Sequence, residues 1–347
     1  MQNIKYKRKF FHQRGYKPLI TNKINTENNS SKILRFRVKQ ILIFIFIYYY
    51  IYFFILITKR KEKYYYSKRK KYFVNYNESN LITLNNKLNW LTIYDVKKLK
   101  GKCADKILLH EYSKRKLGKD ICNKILKIYN NSDEINFDEL PEKYVLKTNH
   151  GSGYNIIITN KTTQLDRQYV KKLLNEWMKI DYGNFQHEFY YSFIKRKIFA
   201  EEFLGKNLKN YKFLCYSGKP KYVYVSIKEG EHKYRNFYDM DWNLLDFDCL
   251  SERHPTYKYE KPKLFDLMKE YATKLSYDFK FVRVDLYELT NEVRLGELTF
   301  TPMNSHFGCR NKKHEAILGK DIIAKKTIYD YFIFFLDYMG IYDYFFF

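Results

Sequence analysis

The chain has 347 residues, 45% of them apolar and 19% aromatic, enough for a sizeable core and about two domains, so a globular protein is expected. Its formal net charge of +26, from 64 Lys and Arg against 38 Asp and Glu, invites a nucleic-acid or acidic-membrane partner. The densest basic clusters, "KYKRKFFHQR" from Lys5 and "KRKEKYYYSKRKK" from Lys59, flank a hydrophobic segment, and no zinc-finger spacing, RNP motif or GXXG loop is present, which excludes nucleic acid and favours a membrane surface. Lys, Asn, Tyr, Phe and Ile are abundant together, as in an AT-rich genome, so part of the charge carries no information about partners. The five cysteines are odd in number and lack a CxxC pair, which predicts reduced buried thiols rather than a disulfide framework or a zinc site.

In chain order, residues 1–40 are basic and polar ("NKINTENNSSK") and are expected to form a disordered tail. Residues 41–58, "ILIFIFIYYYIYFFILIT", carry no charge; an 18-residue helix spans about 27 Å, enough for a thin bilayer, so a membrane-anchor helix is predicted. Residues 59–83 read as a basic linker, whose cations favour a cytosolic side for the C-terminal part of the chain. From residue 84 apolar residues recur at helical spacing as far as Gly118. "YVLKTNHGSGYNIIITNK" is strand, glycine loop, strand; a helix comes next in "TQLDRQYVKKLLNEWMKID", then a strand in "KIFAEEFLG". "YKFLCYSGKPKYVYVSI" is two strands around a turn at Ser217 to Pro220, "KPKLFDLMKEYATKLS" an amphipathic helix, and "KFVRVDLYELTNEVRLGELTFTP" a strand pair turning at Thr290 and Asn291. Residues 311–347 are aromatic and helical in pattern, and a second membrane contact is open there. The class is α+β, with helices packed on antiparallel hairpins.

Two acids stand out in the last hairpin. Asp285 follows "VRV" and Glu297 follows "RLG"; twelve residues apart, they suit adjacent antiparallel strands that bring both to one place. Like charges repel unless a cation lies between them, and Mg²⁺ takes one or two carboxylates together with phosphate oxygens. Lys147 ends a strand just before "TNHGSG", where a lysine can reach phosphates while glycines let backbone approach. The Walker A pattern GxxxxGK[ST] is absent.

The chain from about residue 84 to 310 resembles the TupA-like branch of the ATP-grasp superfamily, associated with teichuronopeptide and cell-surface polysaccharide biosynthesis. The similarity rests on "KLNWLTIYD", "CADKILLHEYSKRKLG", "FDELPEKYVLKTNHGSG", "FAEEFLG", "LKNYKFLCYSGKPKYV", "RNFYDMDWNLLDF" and "FVRVDLYELTNEVRLGELTFTP", in family order. It implies an ATP-grasp fold of two α+β lobes clasping a nucleotide, with Lys106 and Lys147 on the ATP phosphates and Gly151, Ser152 and Gly153 closing over them. It further implies Glu201, Glu202 and Phe203 at the adenine hinge, Lys212 at a phosphate, Arg283 at the developing oxyanion, and Asp285, Glu297 and Thr299 toward Mg²⁺. Three positions depart from the pattern: Thr299 stands where many relatives carry Asn, Asn210 replaces an Asp, and Met303-Asn304-Ser305-His306 follows "FTP" where Gly is common.

The activity implied is that of an ATP-dependent carboxylate-amine ligase working through an acylphosphate. Its partners would be ATP, a carboxylate-bearing glycan or uronic acid acceptor, an amine or amino acid, and the membrane through residues 41–58, with the catalytic domain on the cytoplasmic side. Two rivals are a glycosyltransferase using a nucleotide sugar, for which Asp239-Met240-Asp241 supplies the letters of a DxD motif, and a non-catalytic membrane-bound scaffold. Of the remaining residues, Arg235 in the "RNFYDMDWNLL" stretch is the one expected near the acceptor.

Overall fold

The computed structural model describes residues 26–72, 79–160, 166–205, 208–229 and 231–339, which fall in two compact units, Met1–Leu56 and Ile57–Phe347. Helix α1 (Thr26–Tyr72) begins in the first and ends in the second. No Gly or Pro interrupts it, so the helix starts well before the apolar run and continues past it. The predicted tail is therefore helical from residue 26, and its first 25 residues lie outside the described ones. Most of its apolar stretch is bare, with Ile41 56%, Phe44 69% and Phe46 70% exposed, while Phe54 and Thr58 near its end are buried. Among the described residues α1 is the one helix long and apolar enough to cross a membrane.

The predicted basic linker differs more. Residues 59–72 are the end of α1 and part of the second unit, where Glu62, Tyr65 and Arg69 share one helical face. Glu62 pairs with Lys326, Tyr65 stacks on Phe189 with ring centroids 4.2 Å apart, and Arg69 is completely buried.

The second unit holds two antiparallel sheets. Ahead of them, α2 (Leu84–Tyr94), α3 (Lys98–Ala104) and α4 (Leu109–Leu117) divide what the sequence suggests as one helical run. Two aspartates make the breaks: Asp95 pairs with Lys97 and Lys100, and Asp105 Oδ1 accepts from the N–H groups of Ile107 and Leu108. Gly118 ends α4 in the left-handed region, φ 73°.

The first sheet comprises β1 (Ile125–Tyr129), β2 (Tyr144–Thr148), β3 (Asn155–Ile158) and β4 (Ile198–Glu202) in the order β1-β4-β2-β3. Helix α5 (Arg167–Lys179) covers it, with Val170 and Leu174 packed on Tyr144, Leu146, Ile158 and Ile198. The short α6 (Tyr182–Phe185) comes after it.

The second sheet comprises β5 (Asn210–Tyr216), β6 (Lys219–Glu229), β7 (His232–Tyr238), β8 (Leu244–Leu245), β9 (Phe281–Glu288) and β10 (Val293–Thr299), in the order β10-β9-β5-β6-β7-β8. One face, with Phe213, Val223, Val225, Val282, Val284 and Leu286, packs on α7 (Phe265–Ser276) through Phe265, Met268 and Leu275. The opposite face is divided. At one end Leu214, Tyr216, Tyr224, Phe237 and Phe281 pack on Leu84, Leu88, Leu91 and Phe307; at the other it carries Lys212, Arg283, Asp285 and Glu297.

After β10 come α8 (Lys312–Gly319) and α9 (Ile328–Met339). Leu318, Ile333 and Leu336 are core residues, and Asp330 pairs with Lys280 at 2.9 Å, so the described part of the aromatic C-terminal segment helps build the domain. The cysteine expectation needs correcting: Cys249 and Cys309 are bonded in a disulfide across an antiparallel bridge, while Cys103, Cys122 and Cys215 are free and buried.

Gly101 shows how tightly α3 is seated. A Cβ there would lie 2.8 Å from the Tyr190 carbonyl oxygen and 2.9 Å from Phe193 Cβ. Helix propensity alone favours alanine by about 1 kcal/mol, whereas overpacking costs about 1–3 kcal/mol. Gly101→Ala is expected to lower the thermal unfolding midpoint; a midpoint unchanged or raised would mean that the contact yields.

Candidate active site

The acid pair depends on an irregularity in β10. Leu295 lies opposite Leu286, but Glu297 lies opposite Asp285, because Gly296 is an extra residue in the ladder. The bulge turns Glu297 onto the face that Asp285 occupies, and a Cβ at Gly296 would strike the Tyr287 ring at 2.7 Å.

Cations surround these acids. Arg283 Nε donates to Asp285 Oδ1 at 2.6 Å, and its Nη2 donates to Asp285 Oδ2 at 2.8 Å, Glu297 Oε1 at 2.5 Å and Thr299 Oγ1 at 3.0 Å. Lys212 Nζ donates to Asp285 Oδ2 at 2.5 Å, and the Thr299 hydroxyl donates to Glu297 Oε1 at 2.9 Å. Burial by itself would raise the Glu297 pKa, but Arg283, Lys212 and Lys106 outweigh it and hold the carboxyl at about 2. Burial likewise opposes charge on Arg283; Asp285, Tyr224 and Glu297 more than compensate and raise its pKa further. Asp285, Glu297 and Thr299 form an all-oxygen donor set, which fits Mg²⁺.

Facing this cluster across a cavity of about 240 Å³ are Lys106, Lys147, Ser152, Gly153 and Glu201, with Asn210 and Tyr287 beside Lys212. Lys147 pairs with the Glu201 carboxylate. Lys106 Nζ donates to the Gly151 carbonyl at 2.7 Å, and its backbone N–H to Asn149 O at 3.1 Å. Burial is the main reason the Lys106 pKa falls to about 8. Gly151 (φ 76°) and Gly153 (φ 79°) are left-handed, and a Cβ on Gly151 would meet the Tyr154 and Tyr182 rings at 2.8 Å. Tyr154 stacks on Trp177 at 5.2 Å, so aromatic rings wall the glycine loop.

Asn149 was not singled out from sequence, yet it fixes this loop. It is buried, donates from Nδ2 to Asp105 Oδ2 at 2.8 Å and to Lys195 O at 3.0 Å, and accepts from Lys197 N at 2.7 Å. Burial raises the Asp105 pKa to about 6 despite these donors. The signal was its place in "TNHGSG", where attention falls on the glycines.

A second cavity, of about 390 Å³, shares Ser152, Lys212 and Glu297 with the first. Its other walls include Arg283, Thr299, Tyr224, Lys233 and Arg235 on the sheet, and Glu188, Thr301, Met303 and Asn304 opposite. Lys233 and Arg235 alternate along β7 and project to one side. Burial lowers both their pKa values, and Arg235 Nη1 donates to Leu250 O at 2.8 Å. Burial also raises the Glu188 pKa, while Tyr190 and Thr301 donate to that carboxyl.

The sequence-selected residues Lys106, Lys147, Ser152, Gly153, Glu201, Lys212, Asp285 and Glu297 thus line one cavity, and Arg283, Thr299 and Arg235 line the adjoining one. Gly151 reaches the site through its carbonyl to Lys106. Glu202 and Phe203 are not among the residues lining either cavity. Asp239, half of the DxD letters, accepts from the backbone N–H groups of Asp241 and Asn243 and from Asn243 Nδ2, closing a turn. On the cleft's rim the ligand atoms of His110, Asp120 and Cys122 lie within 4.8 Å of one another, a grouping that sequence spacing did not suggest.

No curated protein matches the chain. Among solved structures it is similar to D-alanine-D-alanine ligase from Helicobacter pylori (16% identity, TM-score 0.38, covering 65% of this chain and 60% of that one). It is also similar to D-alanine–D-alanine ligase from Bacillus anthracis (15%, 0.37, 57% and 57%) and to the ADP complex of N5-carboxyaminoimidazole ribonucleotide synthetase (15%, 0.40, 65% and 53%). The chain spans between about half and three-fifths of the length of those proteins. A family model described as TupA-like ATPgrasp matches residues 86–323, more than half of the sequence, and the chain therefore belongs to the TupA-like ATP-grasp family.

Proposed function

We propose that this protein is an ATP-dependent carboxylate-amine ligase that acts, at the membrane, on a carboxylate-bearing glycan or uronic acid of a cell-surface polysaccharide. The observation that carries the reading is the pair of adjoining cavities. One sets Lys106, Lys147 and the glycine loop against Asp285 and Glu297, and the other adds Arg283, Lys233 and Arg235. The first suits a nucleoside triphosphate with Mg²⁺, which would supply charge neutralisation at the Asp285, Glu297 and Thr299 oxygens. The second carries four cationic side chains against two carboxyls, one of them Glu188 with its raised pKa, and suits a carboxylate acceptor.

On this reading the chemistry runs in two steps. A carboxylate oxygen of the acceptor attacks the γ-phosphorus, forming the acylphosphate C–O–P bond as the P–O bond to ADP breaks. The amine nitrogen then attacks the carbonyl carbon, phosphate leaves with the C–O bond electrons, and the nitrogen loses a proton. Lys106 and Lys147 orient the phosphates, and Arg283, charged and already donating toward this junction, stabilises oxygen as it gains charge. ATP supply argues for the cytoplasmic side of the membrane, with α1 as the anchor.

Mg-ATP at about 100 times its dissociation constant should stabilise the protein by about 2.7 kcal/mol, a shift readable by thermal unfolding. Glu297→Gln is expected to abolish the shift, and a UDP-sugar to give none. A shift with a UDP-sugar and none with Mg-ATP would overturn the ligase reading in favour of a glycosyltransferase.

The Lys106 pKa of about 8 makes nucleotide binding pH-dependent. Below that value the ammonium is charged and can hold phosphate; above it the charge is lost, so the Mg-ATP dissociation constant is expected to rise once the pH passes about 8. Lys106→Arg should flatten the profile, since guanidinium stays charged; an equally steep profile in that variant would assign the proton elsewhere.

Sidedness has its own test. Cytosolic thiols are kept reduced, so on that side Cys249 and Cys309 would stand as a juxtaposed thiol pair in place of the bond the structure shows, and protein alkylated in denaturant during membrane isolation should yield five free thiols. A yield of three, with Cys249 and Cys309 protected, would assign the catalytic unit to an oxidising compartment.

A further inference from the structure

Arg69 belongs to the basic run after the apolar segment, where a solvated side chain is the ordinary expectation, yet it is fully buried. All three of its guanidinium nitrogens are engaged. Nε donates to Asn89 Oδ1 at 2.9 Å; Nη1 to the carbonyls of Gln186 at 3.2 Å and His187 at 3.0 Å and to Asn304 Oδ1 at 2.8 Å; Nη2 to Asn304 O at 3.3 Å and Ser305 Oγ at 3.0 Å. The segments it joins are held in left-handed backbone: His187 (φ 56°), Met303 (φ 54°), Asn304 (φ 50°) and Ser305 (φ 62°). For residues with side chains such a conformation persists only where the surroundings impose it. Asn304 Nδ2 adds a cross-link to Gln186 O at 3.0 Å.

Those same segments make one wall of the second cavity, through Glu188 on one side and Thr301, Met303 and Asn304 on the other. We propose that Arg69 is a positioning residue for the acceptor: the end of α1 is built into the active site, and its guanidinium sets the acceptor-facing wall by clasping residues 186–187 to residues 304–305. The inference rests on reading that cavity as the acceptor's. The clasp does not involve the residues that face the nucleotide, so its loss should separate acceptor use from ATP binding.

The test uses the full chain in detergent micelles or nanodiscs, comparing wild type, Arg69→Ala and Arg69→Lys; the lysine variant retains the charge if the alanine variant does not fold. Amide hydrogen exchange is expected to quicken by about tenfold or more in residues 301–307 and 186–190 while residues 144–158 are unchanged. Mg-ATP affinity should stay within about twofold, and the KM for galacturonate, used as a carboxylate probe with an amino acid, should rise by about tenfold with kcat held within about threefold. Guanidinium ion at low millimolar concentration should restore slow exchange in Arg69→Ala but not in Arg69→Lys, where the lysine occupies the space. Unchanged exchange in both segments would overturn the proposal. So would uniformly faster exchange with lost ATP affinity, since Arg69 would then serve global folding. If wild type binds Mg-ATP but ignores galacturonate, the acceptor reading of the cavity fails, and with it the proposed role, even where exchange and rescue show the clasp to exist.

Discussion

The site depends on a one-residue slip. In an uninterrupted β10 Glu297 would face Val284 and point among Val282, Leu286 and the α7 side chains. A carboxylate there would be stripped of water with no cation beside it, at a cost of several kcal/mol. The extra residue at Gly296 removes that conflict and at the same step sets Glu297 beside Asp285. Two adjacent acids would then repel, and Arg283 and Lys212, from β9 and β5, supply the opposing charge. One glycine thus decides whether the second sheet has a dry core and a charged face, or neither.

The legible parts of this chain were those with local signatures. Alternation and turn residues marked the strands that became β2, β3, β5, β6, β9 and β10, and the twelve-residue spacing of Asp285 and Glu297 was enough to suggest their meeting. The bulge that makes the meeting possible left only a glycine inside a strand as its trace. Strand β1 was overlooked because "ILKIY" is short and lies between loop-like stretches. Distance in sequence hid the rest. Cys249 and Cys309 are 60 residues apart, and spacing says nothing of such a pair. Arg69 looks like its lysine neighbours until Glu62, Tyr65 and Arg69 are seen to share a helical face. Phe203 entered through resemblance alone; it and Glu202 line neither cavity, and Gly151 meets the site only through its carbonyl.

Charge shows the same division between total and position. Most of the excess lysines are solvated and say little, whereas Lys106 and Arg283 are held in desolvated places where their charge has strong local effect. Asp285 and Glu297 more than offset burial at Arg283, whereas at Lys106 burial prevails and the pKa falls to about 8. A positive cleft of this kind holds its geometry before any anion arrives, which limits the reorganisation that binding requires.

The bond from Lys106 to the Gly151 carbonyl carries a last implication. A lysine that fastens the glycine loop cannot also give all its donors to a phosphate, so an arriving anion competes with the loop for the same ammonium. Occupancy of the cleft and fastening of the loop then draw on one side chain. The carbonyl takes one of three donors, so the loop fixes where the ammonium stands and leaves two N–H groups to meet whatever enters the cleft.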